Sequence, residues 1–203
     1  MWNRLGRIAA RGAFPILCLA LAASVQAPPA RAQAAPAAPV STAVANPTYV
    51  FIPMEIAVDR SAAEVWKRIG KFCDIGEWMQ VPCTITAGKD GEFGAVRSVA
   101  NEVLVGKTEL SYTYTQPVRE GRPYSLYHGT LEARPVTATT SKLIYTLVFD
   151  NSMLADDAAR EKDKAQRTAR FTQALQNMKI IAEGGTLPPA PASGGRGTGA
   201  PKQ

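Results

Sequence analysis

Residues Met153 to Ile181 read MLADDAAREKDKAQRTARFTQALQNMKII, a run of 29 residues without glycine or proline. The side chains that recur along it at steps of three and four are Arg167, Phe171, Ala174, Met178 and Ile181. This spacing predicts one long helix with an apolar stripe, whose start Asn151 or Ser152 can cap and which Gly184 can end.

The first half of this predicted helix is charged on the same stripe. Arg160, Asp163 and Lys164 lie on the face that continues into Phe171 and Met178. Two arrangements are open: the first turns project past their packing partner into water, or they form a charged rim at the mouth of a pocket.

The sequence before the long helix predicts strands and a short helical pair. Apolar side chains alternate along residues 50–58, which is typical of a strand with one buried face. Ser61 and Glu64 have the spacing of a capping box, and Val65 and Trp66 begin a helical pattern that a short turn at 74–79 follows. Further strands are predicted at 83–87, 93–100, 109–115, 124–133 and 143–149. The result is an α+β fold of six to seven antiparallel strands, and only the last helix is long enough to cover them.

The basic excess of the chain lies near its start. The 203 residues include 23 Lys and Arg against 17 Asp and Glu. Arg4, Arg7, Arg11 and Arg31 fall in the first 32 residues, which contain no acid, so 19 basic side chains face 17 acidic ones in the rest. A net charge that small gives no case for nucleic-acid binding.

Residues 1–32 have the order of a secretory signal: a basic start, an apolar stretch at 13–25, and small residues ending at Ala32. We expect cleavage near Ala32 and a periplasmic or secreted product without a stable membrane anchor, because the apolar stretch is too short to span a bilayer. Residues 33–47 are predicted to be a disordered Ala/Pro-rich linker and 184–203 a disordered Gly/Pro-rich tail. The folded domain is then 48–183.

The cysteines after the signal are Cys73 and Cys83, ten positions apart. In an oxidising compartment they can form a disulfide, or they can remain two buried thiols. With His128 as the only histidine, no metal-ligand spacing is present, and no motif predicts a cofactor.

Short motifs occur in one order along residues 48–183. They are AEVW at 63–66, FCDI at 72–75 with Trp78, GEFGAVR at 91–97, EVL at 102–104, YHGTL at 127–131 and LIYTLVFD at 143–150. Together they resemble the motifs of the SRPBCC superfamily, which includes START lipid-transfer domains, Bet v 1-like allergens and polyketide cyclase/dehydrase-type proteins.

The resemblance implies a helix-grip fold, in which a curved antiparallel sheet wraps around the long C-terminal helix and two short helices follow the first strand. It implies a cavity for a small hydrophobic molecule that is lipid-like, polyketide-like or aromatic. Two alternatives are open: a cyclase or dehydratase using Arg97, Tyr127 and Asp150 as polarising and proton-transfer groups, or a cavity filled by the protein's own side chains. The sequence does not predict the oligomeric state.

Strand alternation assigns side chains to this cavity. If Asp150 faces inward, as its counterpart in the superfamily does, Thr146 and Val148 share its face while Tyr145 and Leu147 point away. Asp150 is then expected to cluster with Arg97, either to grip a polar group of the ligand or as an internal ion pair. The candidate ligand-binding residues are Arg97, Val99, Glu102, Tyr112, Tyr114, Tyr127, Thr146, Val148, Asp150, Arg167, Phe171 and Ala174.

The only histidine is predicted to lie outside. Tyr127, Gly129 and Leu131 are assigned inward, so the neighbouring His128 faces out. Because this removes the default general base from the cavity, the sequence favours binding over catalysis.

Overall fold

The computed structural model describes residue 44, residues 46–118 and residues 126–189. The predicted signal segment lies outside the described residues, as do most of the predicted linker and most of the predicted tail. Among the described residues, no helix is long and apolar enough to cross a membrane.

Seven strands and three helices form the described part of the chain. In chain order they are β1 Tyr49–Val58, α1 Ala62–Ile69, α2 Ile75–Trp78, β2 Ile85–Ala87, β3 Val96–Arg97, β4 Glu102–Lys107, β5 Ser111–Thr115, β6 Tyr127–Pro135, β7 Ser141–Asp150 and α3 Asp157–Ala182. The strands pair antiparallel in the order β1-β7-β6-β5-β4-β3-β2. This is a curved sheet with a long C-terminal helix, and the predicted helix-grip architecture is confirmed.

Helix α1 begins at the predicted capping box. The amide of Glu64 donates to the Ser61 hydroxyl, and its carboxylate accepts from the Ser61 amide at 3.1 Å, so both free backbone groups are satisfied. Val65 and Ile69 are fully buried, so this helix packs its apolar face onto the sheet side of the domain.

Helix α3 begins later than predicted. Its N-cap is Asp156, whose carboxylate accepts from the Ala159 amide at 2.8 Å, so Asn151 and Ser152 do not cap it. Four residues of the predicted stripe are buried, Phe171, Ala174, Met178 and Ile181, together with Leu175, whereas Arg167 is half-buried. Gly184 follows the helix with φ of 89°, in agreement with the predicted end.

The strand predicted at 93–100 is only Val96–Arg97, and β4, at Glu102–Lys107, lies between the predicted strands 93–100 and 109–115 and was not predicted. The turn between β3 and β4 runs through Ala100 and Asn101, both with positive φ near 50°. Non-glycine residues rarely adopt this conformation. Because Ala100 and Asn101 form the turn in place of glycine or proline, the sequence carried no turn signal there.

The folded chain also continues past Glu183, the predicted end of the domain. Leu187 packs against the core, and the Pro188 carbonyl accepts a hydrogen bond from the Gln80 side chain at 2.8 Å. The first residues of the predicted tail are therefore part of the fold.

Candidate ligand cavity

Arg97 forms the centre of a buried polar cluster on the inner face of the sheet. Its side chain is completely buried, and its Nε donates to Glu102 Oε2 at 2.6 Å. Nη2 lies at ion-pair distance from the same oxygen without the alignment of a hydrogen bond. Nη1 donates to the Phe72 carbonyl and, at 3.4 Å, to the Tyr112 hydroxyl. The protein's own groups thus hold the guanidinium through Nε and Nη1, while Nη2 has the ion-pair contact alone.

Aromatic rings enclose this guanidinium. Its Cζ lies 4.3 Å from the ring centre of Phe72, 4.7 Å from that of Tyr114 and 5.7 Å from that of Tyr112. Such contacts favour a cation in an apolar site. Glu102 is also buried, and its second oxygen accepts from Gln116 Nε2 at 2.8 Å. Burial raises the pKa of Glu102, and the nearby charge of Arg97 opposes that effect.

The predicted pairing of Arg97 with Asp150 is wrong. The Asp150 carboxylate accepts from the backbone amides of Thr48 and Ser152, at 2.8 and 3.0 Å, and from the Ser152 hydroxyl at 3.0 Å. It ties the end of β7 to the segment before β1. Asp150 is buried because of this local role, and it belongs to a different cluster from Arg97.

The inner face assigned to β7 was also wrong by one residue. Tyr145 and Leu147 are completely buried on the inner face, whereas Thr146 and Val148 are half-buried on the opposite face. The error came from counting backward from Asp150, which is buried at the end of the strand next to the equally buried Phe149.

Four buried tyrosines are the main polar groups of the inner face beside the Arg97 cluster. The hydroxyls of Tyr114 and Tyr145 lie 2.9 Å apart, and the ring of Tyr145 packs on Phe171 of α3 at 4.6 Å. Burial raises the pKa of Tyr127 to about 12. It also raises the pKa values of Tyr112, Tyr114 and Tyr145. All four are therefore neutral phenols near pH 7 that can donate hydrogen bonds.

A cavity of about 450 Å³ opens between the sheet, α2 and the first half of α3, and is here named the helix cavity. Its lining comprises Ile75, Met79, Val99, Ala100, Glu102, Tyr114, Gln116, Tyr127, Asp163, Gln166, Arg167, Arg170 and Phe171. Six of the predicted site residues are among them: Val99, Glu102, Tyr114, Tyr127, Arg167 and Phe171. A volume in this range suits a small organic ligand.

The remaining predicted site residues lie elsewhere. Arg97 is buried behind the cavity, Ala174 is in the core, and Tyr112 faces a separate cavity beside α1. Thr146 and Val148 are on the outer face.

Cys73 and Cys83 are joined by a disulfide, with Cα atoms 5.6 Å apart.

Of the charged side chains predicted on the first half of α3, Asp163 lines the helix cavity, whereas Arg160 and Lys164 lie at a separate depression beside β1. Arg167 lies over the ring of Phe149 at 4.5 Å and over that of Tyr127 at 5.2 Å, and its Nε donates to Asp163 at 2.8 Å. Arg170, one turn further on, has no hydrogen bond or ion pair with any described residue. The lining thus combines aromatic surface with one cation available to a ligand.

Sequence reasoning missed the contributions of Gln116, Gln166, Arg170 and helix α2. Gln166 and Arg170 follow Asp163 and Arg167 at helical steps of three, so the face that contains Arg167 already indicated them. The part played by Ile75 and Met79 had no such signal, since it depends on where α2 packs.

Within the described residues, no group of three His, Cys, Asp or Glu side chains could hold a metal ion.

His128 lies on the outer face, as predicted. It is half-buried, next in sequence to the inward Tyr127, and pairs in register with Thr115 and Val148. Burial lowers its pKa. The helix cavity therefore has no imidazole contributed by the described residues.

No family model matches the sequence, and no curated protein matches it. Several solved structures, however, superpose on the described domain. The Zhui aromatase/cyclase from Streptomyces sp. R1128 superposes with a TM-score of 0.52 at 16% identity, over 68% of this chain and 100% of that one. XoxI from Bacillus cereus gives 0.51 at 20% identity, over 64% and 92%. A protein from Nitrosospira multiformis gives 0.51 at 22%, over 65% and 96%. These likenesses confirm the helix-grip fold, and at such identities they show the fold alone.

Proposed function

We propose that the domain binds or carries a small hydrophobic molecule, lipid-like, polyketide-like or aromatic, in the helix cavity. The observation that carries this proposal is the lining of that cavity, where the rings of Tyr114, Tyr127 and Phe171 lie beside Arg167 and Arg170. Apolar walls with a few polar groups at fixed positions are the usual design of a site that orients an apolar ligand.

The polar end of the ligand is expected at the rim formed by α3. Arg170 is exposed and forms no hydrogen bond or ion pair with the described residues, whereas the guanidinium of Arg97 is completely buried and paired with Glu102. A carboxylate, carbonyl or hydroxyl of the ligand would therefore meet Arg170 rather than the predicted Arg97.

Catalysis of the cyclase or dehydratase type is the less favoured reading. It would use Arg97, Tyr127 and Asp150, but Arg97 and Asp150 are held by internal partners and only Tyr127 lines the cavity. With its pKa near 12, Tyr127 is a poor general base at neutral pH. Binding without covalent chemistry therefore fits the geometry better.

A fluorescence titration with 8-anilinonaphthalene-1-sulfonate tests the binding proposal. This probe combines an aromatic body with an anionic group. Gln166→Trp places a large ring at the exposed rim of the cavity and is expected to weaken probe binding at least tenfold. Gln176→Trp, an exposed position further along α3 that does not line the cavity, is the matched control. Equal affinities of the two variants would contradict the proposed site.

We also propose that the domain works after export, in a periplasm or outside the cell. The support is the order of basic, apolar and small residues in positions 1–32. A disulfide between Cys73 and Cys83 is compatible with such a compartment. N-terminal sequencing of the product from its own host should find Gln33 or a residue close to it, and an intact Met1 would reject the proposal.

A further inference from the structure

We infer that the domain has a second binding site, separate from the helix cavity, that takes an uncharged planar aromatic molecule. The site is a cavity of about 570 Å³ between the end of α1 and the turn joining β4 to β5, here named the hairpin cavity. It shares no lining residue with the helix cavity.

Three aromatic rings form the walls of the hairpin cavity. The ring of Tyr112 lies 5.7 Å from that of Trp66 and 5.6 Å from that of Phe72, in a tilted and an edge-to-face arrangement. Leu104 completes the apolar lining. Phe72 and Tyr112 are almost fully buried and reach the cavity only with part of their rings, so the half-buried Trp66 offers the main aromatic surface on which a flat ligand can stack.

Trp66 is held over this cavity by a glycine. A Cβ atom added to Gly70 would lie 2.5 Å from the Trp66 ring, so only glycine allows the indole to rest on the backbone at that point. Trp66 is nevertheless only half-buried, although it packs against Tyr112. A large ring fixed in place and incompletely covered suits a ligand platform better than a core position.

The polar groups at the rim favour an uncharged ligand. The Thr108 and Ser111 hydroxyls bond to each other at 2.8 Å, and Lys107 Nζ donates to the Gly91 carbonyl at 2.6 Å. Lys107 and Glu109 carry opposite charges, so the rim has no net charge to attract an anion or a cation. The helix cavity differs, because Arg170 there forms no hydrogen bond or ion pair with the described residues.

The Arg97 cluster separates the two cavities. Phe72 and Tyr112, which contact the guanidinium, line the hairpin cavity, whereas Tyr114 and Glu102 line the helix cavity. Joining the cavities would require the buried ion pair of Arg97 and Glu102 to move, which strands a charge in an apolar site. Two ligands should therefore bind independently.

Equilibrium dialysis of the full chain against neutral 2-naphthol and anionic 2-naphthoate tests this inference. Two molecules of 2-naphthol are expected per chain. Glu109→Trp should fill the hairpin cavity and remove one of them while 2-naphthoate binding stays unchanged. Gln166→Trp should remove the other and weaken 2-naphthoate at least tenfold. Glu92→Trp, which adds the same bulk at an exposed position that lines neither cavity, should retain both molecules.

The outcomes separate this inference from the proposed function. If Glu109→Trp retains all 2-naphthol binding and Gln166→Trp abolishes it, the hairpin cavity is not a site, and the helix cavity still is. If only Glu109→Trp has an effect, the helix cavity fails and the inference stands. Trp66→Leu removes the platform without adding bulk and should weaken the hairpin site at least tenfold, so an unchanged affinity in that variant would also overturn the inference.

Discussion

Gly129 of β6 lies directly beneath the ring of Tyr114. A Cβ atom added there would lie 2.4 Å from the Tyr114 hydroxyl and 2.4 Å from its Cζ, closer than any real contact. Gly129→Ala should push the ring away, break its hydrogen bond to Tyr145 and destabilise the fold by about 1–3 kcal/mol. Denaturant unfolding measures the change.

Two controls make this prediction specific. Gly106 lies in β4 of the same sheet, and a Cβ added there meets Thr113 at 3.3 Å, so Gly106→Ala should cost much less. In a Tyr114→Ala background, Gly129→Ala should lose most of its effect because the clashing ring is gone. An undiminished effect in that background would mean that Tyr114 is not the cause.

His128 gives a separate prediction at the same scale. Burial of its imidazole disfavours the charged form and lowers its pKa below the ordinary value of about 6.5. The neutral form of His128 therefore contributes to the free energy of unfolding above pH 6.5, and this contribution is lost as the pH falls through the folded-state pKa.

The titration of His128 can be read directly, since the chain has one histidine. Its imidazole proton resonances in NMR spectra should titrate with a midpoint below that of an unfolded chain, and His128→Asn should remove the signal. A midpoint at or above the unfolded value would contradict the half-buried position.

The inner face of β6 was predictable from alternation, but that of β7 was not. Tyr127, Gly129 and Leu131 alternate with smaller or polar neighbours over a whole strand, so the pattern fixes the face. In β7 both faces carry apolar side chains, with Ile144 and Val148 opposite Tyr145 and Leu147, so the assignment started from Asp150 at the strand end. A terminal residue can turn its side chain to nearby amides, so it does not report the face of the strand before it.

At the scale of elements, the ion pair of Arg97 and Glu102 joins β3 to β4, and Arg97 also donates to the Phe72 carbonyl in the turn between α1 and α2. Glu102→Gln would keep the shape but strand the charge of Arg97 in the interior. The free energy of unfolding should fall by about 3–5 kcal/mol.

The half-exposed pair of Arg68 and Glu77 is the matched control. Glu77→Gln removes the same charge at the surface and should cost less than about 1 kcal/mol. Adding Arg97→Met to Glu102→Gln should recover part of the loss, because no buried charge is then unpaired. A small effect of Glu102→Gln on the free energy of unfolding would show that the ion pair does not stabilise the pairing of β3 with β4.

Element existence was more predictable than the ends of elements. The capping box at Ser61 and the glycine-free run before Ile181 carry local signals, and α1 and α3 follow them. The position of α2 over the helix cavity depends on packing between distant parts of the chain, and no local pattern encodes that position. For this reason the sequence indicated a cavity but not its full lining.

At the scale of the whole molecule, the disulfide connects the chain after α1 to the chain before β2. It lies beside the cavities but lines neither of them, so its effect should be on stability. Closing a loop of ten residues restricts the unfolded chain and is worth up to about 3 kcal/mol. Replacing both Cys73 and Cys83 by serine should lower the melting temperature and leave probe stoichiometry unchanged.

Thiol counting under denaturing, non-reducing conditions connects this bond to the compartment. The chain has three cysteines, and Cys18 falls within the proposed signal. An exported, cleaved product should therefore show no free thiol, while unprocessed chain held in a reducing compartment should show three. Cys18→Ser should lower only the second number, by one. Two free thiols in the exported product would contradict the disulfide, because Cys73 and Cys83 would then be reduced where oxidation is favoured.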